Sequence, residues 1–166
     1  MLAAPATAQD KPPIIGRAED CLKSNVDRVV AVDPDLESAA NFLLNYSCAG
    51  EVSDASRYEL NLILVKQFGA MDAMSRSFGR PVPKGEAQPP QPLTISSAAT
   101  ATVDPNTGEI ILPPQKEGSP PDFFAPMLRQ TGNATGQFTQ LTTPVLLRKL
   151  AGALVLEARE HRAVRP

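Results

Sequence analysis

The sequence predicts a mainly α protein, a disulfide-linked helical bundle with a proline-rich connector and a small β-hairpin. Three observations predict this fold class. Apolar residues recur at helical spacing in several segments, which is typical of amphipathic helices. The chain has only two cysteines, Cys21 and Cys48, and both lie in or beside such segments. Ten of its 17 prolines fall between Pro81 and Pro121. With six Phe, two Tyr and no Trp, the core must be largely aliphatic.

The first predicted helix runs from Arg17 to Val30. Residues 9–15 precede it as an extended arm, because Lys11-Pro12-Pro13 cannot begin a helix smoothly: each proline disfavours the α conformation of the residue before it. The apolar stripe of this helix recurs at intervals of three and four residues. Its members are Ala18, Leu22, Val26, Val29 and Val30.

A second helix is predicted to begin at Asp33-Pro34, with Asp33 as the N-cap and proline at the first helical position. It ends at Gly50, which suits a left-handed C-cap. The predicted buried face comprises Leu36, Ala39, Ala40, Leu43 and Leu44. Asp33, Asp35 and Glu37 could also form a cation site, but helix-start chemistry explains these acidic residues fully.

The third predicted helix is the longest. Ser53 or Asp54 caps it, and it continues to Phe78, before Gly79 and Pro81. Its stripe is wide enough that much of its circumference should be buried. The stripe comprises Leu60, Leu64, Phe68, Met71, Met74 or Ser75, and Phe78, and it is widened by Leu62, Ile63 and Val65.

Residues 80–121 form an irregular, proline-rich middle that contains a predicted hairpin. Asp104 to Gly108 is a strong turn signal, and residues with high strand propensity flank it. An isolated hairpin is marginal in water, so it must pack on its own helices, pair with another chain or project as an arm. If it adds strands to a partner's sheet, the candidate contacts are Ile95, Val103 and Ile110.

Two more helices follow. Asp122 caps a short one that contains the adjacent pair Phe123 and Phe124, which cannot face the same way. One of them is therefore a candidate partner contact, although partial burial under loops is the simpler alternative. A loop is predicted over residues 131–137.

The last helix begins at Thr143-Pro144 and ends near Arg162, and it should return to pack on the first three. Its predicted face comprises Leu146, Leu147, Leu150, Ala153, Leu154 and Ala158. Its basic residues suit either an anionic membrane surface or, more simply, the negative end of the helix dipole.

The N-terminus and the cysteines together predict the compartment. Ala6-Thr7-Ala8 fits the small-residue pattern before a signal-peptide cleavage site, so residues 1–8 are interpreted as a signal-peptide remnant. Residues 9–166 then form a single mostly helical domain. The alternative is a flexible, alanine-rich N-terminus. In an oxidising compartment Cys21 and Cys48 would pair; in the cytosol they would be free thiols. We expect a periplasmic or secreted bacterial protein with this disulfide.

The sequence offers little chemistry, and we expect no catalytic, cofactor or metal residues. It contains no nucleophile elbow, phosphate-binding glycine loop or zinc motif. Its one histidine, His161, lies six residues from the end, and two cysteines with one distant histidine do not make a four-ligand metal set. The carboxylates that could act as an acid–base pair fall at a helix start or in a turn. They are Glu51, Asp54 and Glu59, or Asp104 and Glu109.

The predicted function is therefore a non-enzymatic secreted or periplasmic protein that binds another protein, as an accessory protein of the bacterial envelope. One alternative is a structural subunit of a surface appendage or virion. A carboxylate-dependent hydrolase or a small-ligand carrier also remains open. A formal net charge of −2 with interspersed signs argues against nucleic acid as the partner. No segment reaches the ~20 apolar residues of a membrane span.

Overall fold

The structure is a computed structural model that describes residues 11–33, 35–77, 100–114, 124–135 and 142–163. Within these ranges the chain forms five α-helices, one π-helical turn and one two-stranded antiparallel sheet. The helices are α1 (Pro13–Val32), α2 (Leu36–Phe42), α3 (Ala49–Ser77), α4 (Phe124–Thr135) and α5 (Val145–Ala163), and the π turn spans Leu43–Ser47. The strands are β1 (Thr102–Val103) and β2 (Ile110–Ile111). The mainly α prediction is confirmed.

The chain divides into two compact units. The first is drawn from Met1–Ala55 and Thr143–Pro166, and the second from Ser56–Thr142. The predicted signal-peptide remnant, residues 1–8, lies outside the described residues, as does most of the proline-rich middle. Inside the described ranges no helix has both the length and the apolar character needed to cross a bilayer.

In the first unit, α1 begins at Pro13, four residues before the predicted start, so the expected extended arm is wrong at its C-terminal end. Pro12 is the N-cap residue with extended backbone angles, and its carbonyl accepts hydrogen bonds from the amides of Ile15 and Gly16. Proline is favoured at the first helical position because the N–H it lacks has no intrahelical partner there. Pro13 disfavours the α conformation only of the residue before it. That residue is Pro12, which lies outside the helix.

The start of α2 is also displaced from the prediction. Asp35, not Asp33, is the N-cap, and its carboxylate accepts a hydrogen bond from the amide of Ser38 at 2.8 Å. Asp33 supports this cap, since its carboxylate accepts from the amide of Asp35 at 3.0 Å and from the Ser38 hydroxyl. Leu36, predicted to be buried, is exposed at the helix start.

The π turn replaces the predicted helix end at Gly50. The amide of Cys48 donates to the carbonyl of Leu43, five residues earlier, at 3.0 Å. The chain then enters α3 directly at Ala49, so Gly50 lies inside a helix and the predicted caps at Ser53 or Asp54 are wrong. Cys48 is fully buried and forms a disulfide with Cys21, with a Cα–Cα distance of 5.9 Å. The predicted pairing is confirmed.

The core of the first unit lies between α1, α5, α2 and the π turn, joined by Val52 and Ala55 of α3. Every predicted stripe residue of α1 is buried. In α5 the buried face is Leu147, Ala151, Val155 and Ala158, whereas Leu146, predicted to be buried, is exposed. Near the end of α5, Arg162 donates from Nη2 to the carbonyl of Asp27 on α1 at 2.7 Å.

The second unit contains α3 from Ser56 onward, the hairpin and α4. The hairpin prediction is confirmed, with Thr102 opposite Ile111 and Val103 opposite Ile110. Gly108 has a φ of 73°, a left-handed conformation that favours glycine. The carboxylate of Asp104 accepts from the amide of Asn106 at 2.8 Å and closes the turn.

A small core joins these elements: Phe68, Ala101 and Leu128 are buried, with Leu64, Val65, Ile110 and Leu112 packed against them. The Asn61 side chain, 2% exposed, donates from Nδ2 to the carbonyl of Gly108 at 2.7 Å. Two expectations are wrong here. Ile63, Met71 and Met74 are exposed, so the buried face of α3 is narrower than predicted. Helix α4 continues to Thr135, through most of the predicted loop.

Candidate functional site

Two aromatic side chains stack on the surface of the first unit. The rings of Phe42, at the end of α2, and Tyr46, in the π turn, have centroids 5.2 Å apart and planes inclined at 22°. Phe42 is 48% exposed and Tyr46 is 74% exposed. We call this pair the aromatic ridge. Stacked, exposed aromatic rings are the kind of side chain that anchors protein interfaces.

A groove of about 610 Å³ lies beside the aromatic ridge and is called the aromatic groove. On one side it is lined by a single face of α1: Asn25, Arg28, Val29 and Val32. These positions are spaced by three or four residues, which places them along one helix face. The other side is formed by Asp33, Phe42, Tyr46 and Ser47. Val32 is 84% exposed, so the groove presents apolar surface to solvent.

The disulfide lies next to the aromatic groove. Asn25, which lines the groove, donates from Nδ2 to the carbonyl of Cys21 at 2.9 Å. The same amide nitrogen lies 3.5 Å from Cys21 Sγ and 3.8 Å from Cys48 Sγ. The disulfide covalently joins α1 to the end of the π turn, and these two elements carry the walls of the groove. The disulfide therefore fixes α1 relative to the π turn, while the aromatic side chains at the edge of the groove stay exposed.

The charges of the aromatic groove lie on Arg28 and Asp33. The Ser38 hydroxyl, and secondly the amide of Asp35, donate hydrogen bonds that lower the pKa of Asp33 below its ordinary value of 3.8. Asp33 therefore carries a negative charge at neutral pH. The groove thus combines apolar walls with one cation and one anion.

A second recess, of about 420 Å³, also includes the aromatic ridge in its lining. Asp35, Glu37, Ser38 and Asn41 line it together with Phe42 and Tyr46. We call it the acidic shelf, because both charged side chains that line it are carboxylates. The aromatic ridge therefore lines both the aromatic groove and the acidic shelf.

The second unit has a cleft of a different kind, about 330 Å³ in volume. Its lining is mostly polar: Arg57, Asn61, Glu109, Ile110, Arg129, Gly132 and Asn133. Gly132 permits α4 to approach β2, because a Cβ there would lie 2.6 Å from Ile110 Cδ1. The chemistry of this lining suits polar rather than apolar ligands.

The predicted partner contacts are placed as follows. Ile95 and Phe123 lie outside the described residues, and Phe124 begins α4 but its side chain is not described. Val103 and Ile110 are brought together across the hairpin as directly paired residues. Both are half-buried, and Ile110 packs against the small core of its own unit. These contacts remain predictions.

The side chains considered for catalysis are spread over different elements. His161 is exposed on α5, with Nε2 at 3.7 Å from the Glu157 carboxylate one turn earlier. Burial raises the pKa of Glu59 on α3 above its usual range. Asp104 serves the hairpin turn, where the amide of Asn106 lowers the pKa of its carboxylate. Among the described residues, no three or more His, Cys, Asp or Glu side chains lie together as a metal site.

The aromatic ridge was not predicted from the sequence, although a signal for it exists. The segment "NFLLNYS" carries four large apolar or aromatic residues in five positions. If Leu43 and Leu44 lie on the buried face of the helix, Phe42 and Tyr46 cannot lie on that face as well. The sequence therefore predicts that these two aromatic side chains are exposed. Their stacking could not be foreseen, because it depends on the π turn.

No protein family model, curated protein or solved structure matches this chain. The described residues form a mainly α fold with an internal disulfide and an exposed aromatic ridge that lines two recesses. The disulfide is typical of an oxidising compartment outside the cytoplasm.

Proposed function

We propose that this protein is a non-enzymatic accessory protein of the bacterial periplasm or cell exterior. It binds a partner protein by accepting one of the partner's apolar side chains in the aromatic groove. The observation that carries the proposal is the stacked, exposed pair Phe42 and Tyr46 on the rim of a 610 Å³ groove. Contiguous exposed apolar surface marks interaction sites, and interface anchors are enriched in aromatic residues.

The frame of the groove supports protein binding. The disulfide fixes α1 against the π turn, so little conformational entropy is lost when a partner binds to this rim. The side chains of Leu43 and Cys48 are fully buried and anchor the π turn in the core. Single π turns are rare and are often found at functional sites. Here the π turn aligns Cys48 with Leu43 while Phe42 and Tyr46 remain on the surface.

The compartment proposal rests on the disulfide, because stable disulfides are rare in the cytosol. Intact mass of the protein from fractions of its host, with and without thiol alkylation under non-reducing conditions, tests it. We expect an unalkylated chain in the periplasmic or secreted fraction. A cytoplasmic chain with two alkylated thiols would refute the compartment.

Partner binding is tested by site-specific crosslinking in intact host cells. A photoreactive benzoylphenylalanine replaces Tyr46 in one variant and Leu146 in another. Leu146 is a matched control because it is also exposed, on α5, and does not line the groove. We expect a discrete crosslinked partner from position 46 and none of the same mass from position 146.

The crosslinked partner is then purified and its affinity for the protein is measured by calorimetry. We expect the double variant F42A/Y46A to bind about 30-fold more weakly, the effect of removing interface anchors worth about 2 kcal/mol. The variant L146A should bind as the wild type does. Equal affinities for F42A/Y46A and wild type would refute the groove as the binding site.

A further inference from the structure

We infer that the partner segment is basic: it places an apolar anchor in the aromatic groove and an arginine or lysine across the aromatic ridge, toward the acidic shelf. This inference deepens the proposed function and rests on it.

The surface around the aromatic ridge is net negative. Its charged side chains are the carboxylates of Asp33, Asp35 and Glu37 and the guanidinium of Arg28. The start of α2 adds the positive end of a helix dipole, equivalent to about half a charge at most. The carboxylates therefore outweigh the positive groups, and a basic segment is electrostatically complementary to this surface.

The ridge itself favours a cation at the boundary between the two recesses. A guanidinium or ammonium group packs favourably against the face of an aromatic ring. Glu37 is exposed in the first turn of α2, on the recess that Phe42 and Tyr46 also line. A side chain crossing the ridge can thus contact an aromatic ring and a carboxylate together. Arginine is best suited because its planar group both stacks and pairs with carboxylates.

The same charges disfavour an anionic membrane as the occupant. Lipid headgroups with negative charge would face three carboxylates and a single guanidinium. A neighbouring copy of this chain would bring the same net negative surface if it docked ridge to ridge. A basic partner segment is the occupant that the charges favour.

The first experiment is selection of phage-displayed random dodecapeptides on the immobilised, disulfide-bonded protein, with counter-selection on the F42A/Y46A variant. We expect enriched peptides to combine an aliphatic or aromatic residue with one or more arginines or lysines. Neutral or acidic peptides that still require Phe42 would overturn the charge inference and leave the groove function standing. No enrichment that depends on the ridge would refute the proposed function and this inference together.

The second experiment measures the affinity of the leading peptide by fluorescence anisotropy. The test variant D35N/E37Q removes two charges but keeps the helix start, because asparagine caps a helix as well as aspartate does. We expect about tenfold weaker binding and a flatter salt dependence. The control E157Q/E160Q removes two carboxylates from exposed positions on α5 and should change the affinity less than twofold.

Two further measurements address the other occupants. Co-sedimentation with phosphatidylglycerol vesicles should show no binding that depends on Phe42. Sedimentation equilibrium should give the monomer mass for both wild type and F42A/Y46A. Ridge-dependent vesicle binding, or a wild-type dimer lost in F42A/Y46A, would overturn the basic-segment inference in favour of that occupant. Equal affinities of D35N/E37Q and wild type for the peptide would overturn it as well.

Discussion

The amide of Cys48 donates a hydrogen bond to the carbonyl of Leu43, five residues earlier, at 3.0 Å. In an α-helix the partner of Leu43 would be residue 47, so the wider turn moves Cys48 onto the buried line of Leu43. Both residues are fully buried, and Cys48 reaches Cys21 on α1. One widened turn thus links the core, the disulfide and the surface that carries the aromatic ridge.

The disulfide should account for a large part of the stability. It closes a loop with a sequence separation of 27 residues, for which chain entropy predicts a contribution of about 3–4 kcal/mol. We expect the C21S/C48S variant to lose this amount in urea unfolding at neutral pH. Wild type in the presence of a reductant is the control, and its free energy of unfolding should equal that of the variant. A loss below about 1 kcal/mol would show that the disulfide constrains the unfolded chain little.

The hydrogen bond from Asn61 to Gly108 should be important for the second unit. Removing the amide in Asn61→Ala leaves a buried carbonyl without this donor, which costs about 1–3 kcal/mol. Chemical denaturation of the variant measures the loss. Asn133→Ala is the matched control, since Asn133 is exposed, and it should change the unfolding free energy by less than about 0.5 kcal/mol. Equal stabilities of the two variants would contradict this role.

Helix periodicity was enough to predict the buried stripe of α1, because its five apolar positions fit one face without a remainder. Local turn chemistry was enough to predict the hairpin turn, since Asp104 supplies the side-chain acceptor and Gly108 the left-handed conformation that the turn uses. The pairing of Cys21 with Cys48 followed from compartment and helix position. These features depend on local chemistry that the sequence displays directly.

The remaining features depend on packing that sequence patterns do not reveal. Two candidate caps, Asp33 and Asp35, precede α2, and only the structure shows which carboxylate takes the Ser38 amide. The π turn has no distinctive composition, so Gly50 looked like a helix end. The aromatic groove needs α1 beside the π turn, a tertiary arrangement. The candidate site was therefore less predictable than the fold.

The close approach of α4 to β2 gives a third prediction. A Cβ on Gly132 would lie 2.6 Å from Ile110 Cδ1. Alanine in a helix gains about 1 kcal/mol over glycine, but overpacking costs about 1–3 kcal/mol. Cδ1 is the far end of a flexible side chain and can move aside, but Ile110 is also packed against the small core. We therefore expect Gly132→Ala to be less favourable than Gly152→Ala by about 1 kcal/mol. Gly152→Ala, in α5 with no atom within 4 Å of the added Cβ, should be stabilising by about 0.5–1 kcal/mol.

A double-mutant cycle identifies the cause of the Gly132 effect. Ile110→Val removes Cδ1, the atom that the new methyl group would meet. In that background we expect Gly132→Ala to be more favourable than it is in wild type by about 1 kcal/mol. Additive effects of the two substitutions in denaturant unfolding would show that the contact with Ile110 is not the reason.

The cap of α2 gives a prediction for the pH dependence of stability. Hydrogen bonds from Ser38 and from the Asp35 amide lower the pKa of Asp33 in the folded chain below 3.8. The folded state therefore binds this proton less tightly than the unfolded state, and ionised Asp33 stabilises the protein above about pH 4. This contribution is lost as the pH falls through the folded pKa. Wild type should exceed Asp33→Asn in thermal midpoint at neutral pH, and the two curves should converge in acid.

Ser38→Ala identifies the donor responsible. It removes the hydroxyl hydrogen bond to Asp33, the largest cause of the lowered pKa, but keeps the backbone amide that caps α2 through Asp35. The difference in thermal midpoint between neutral and acidic pH should therefore be smaller in Ser38→Ala than in wild type. If the difference in thermal midpoint between wild type and Asp33→Asn is the same at neutral and acidic pH, Asp33 has the same pKa in the folded and unfolded states. The hydrogen bonds at the start of α2 would then contribute nothing that depends on pH.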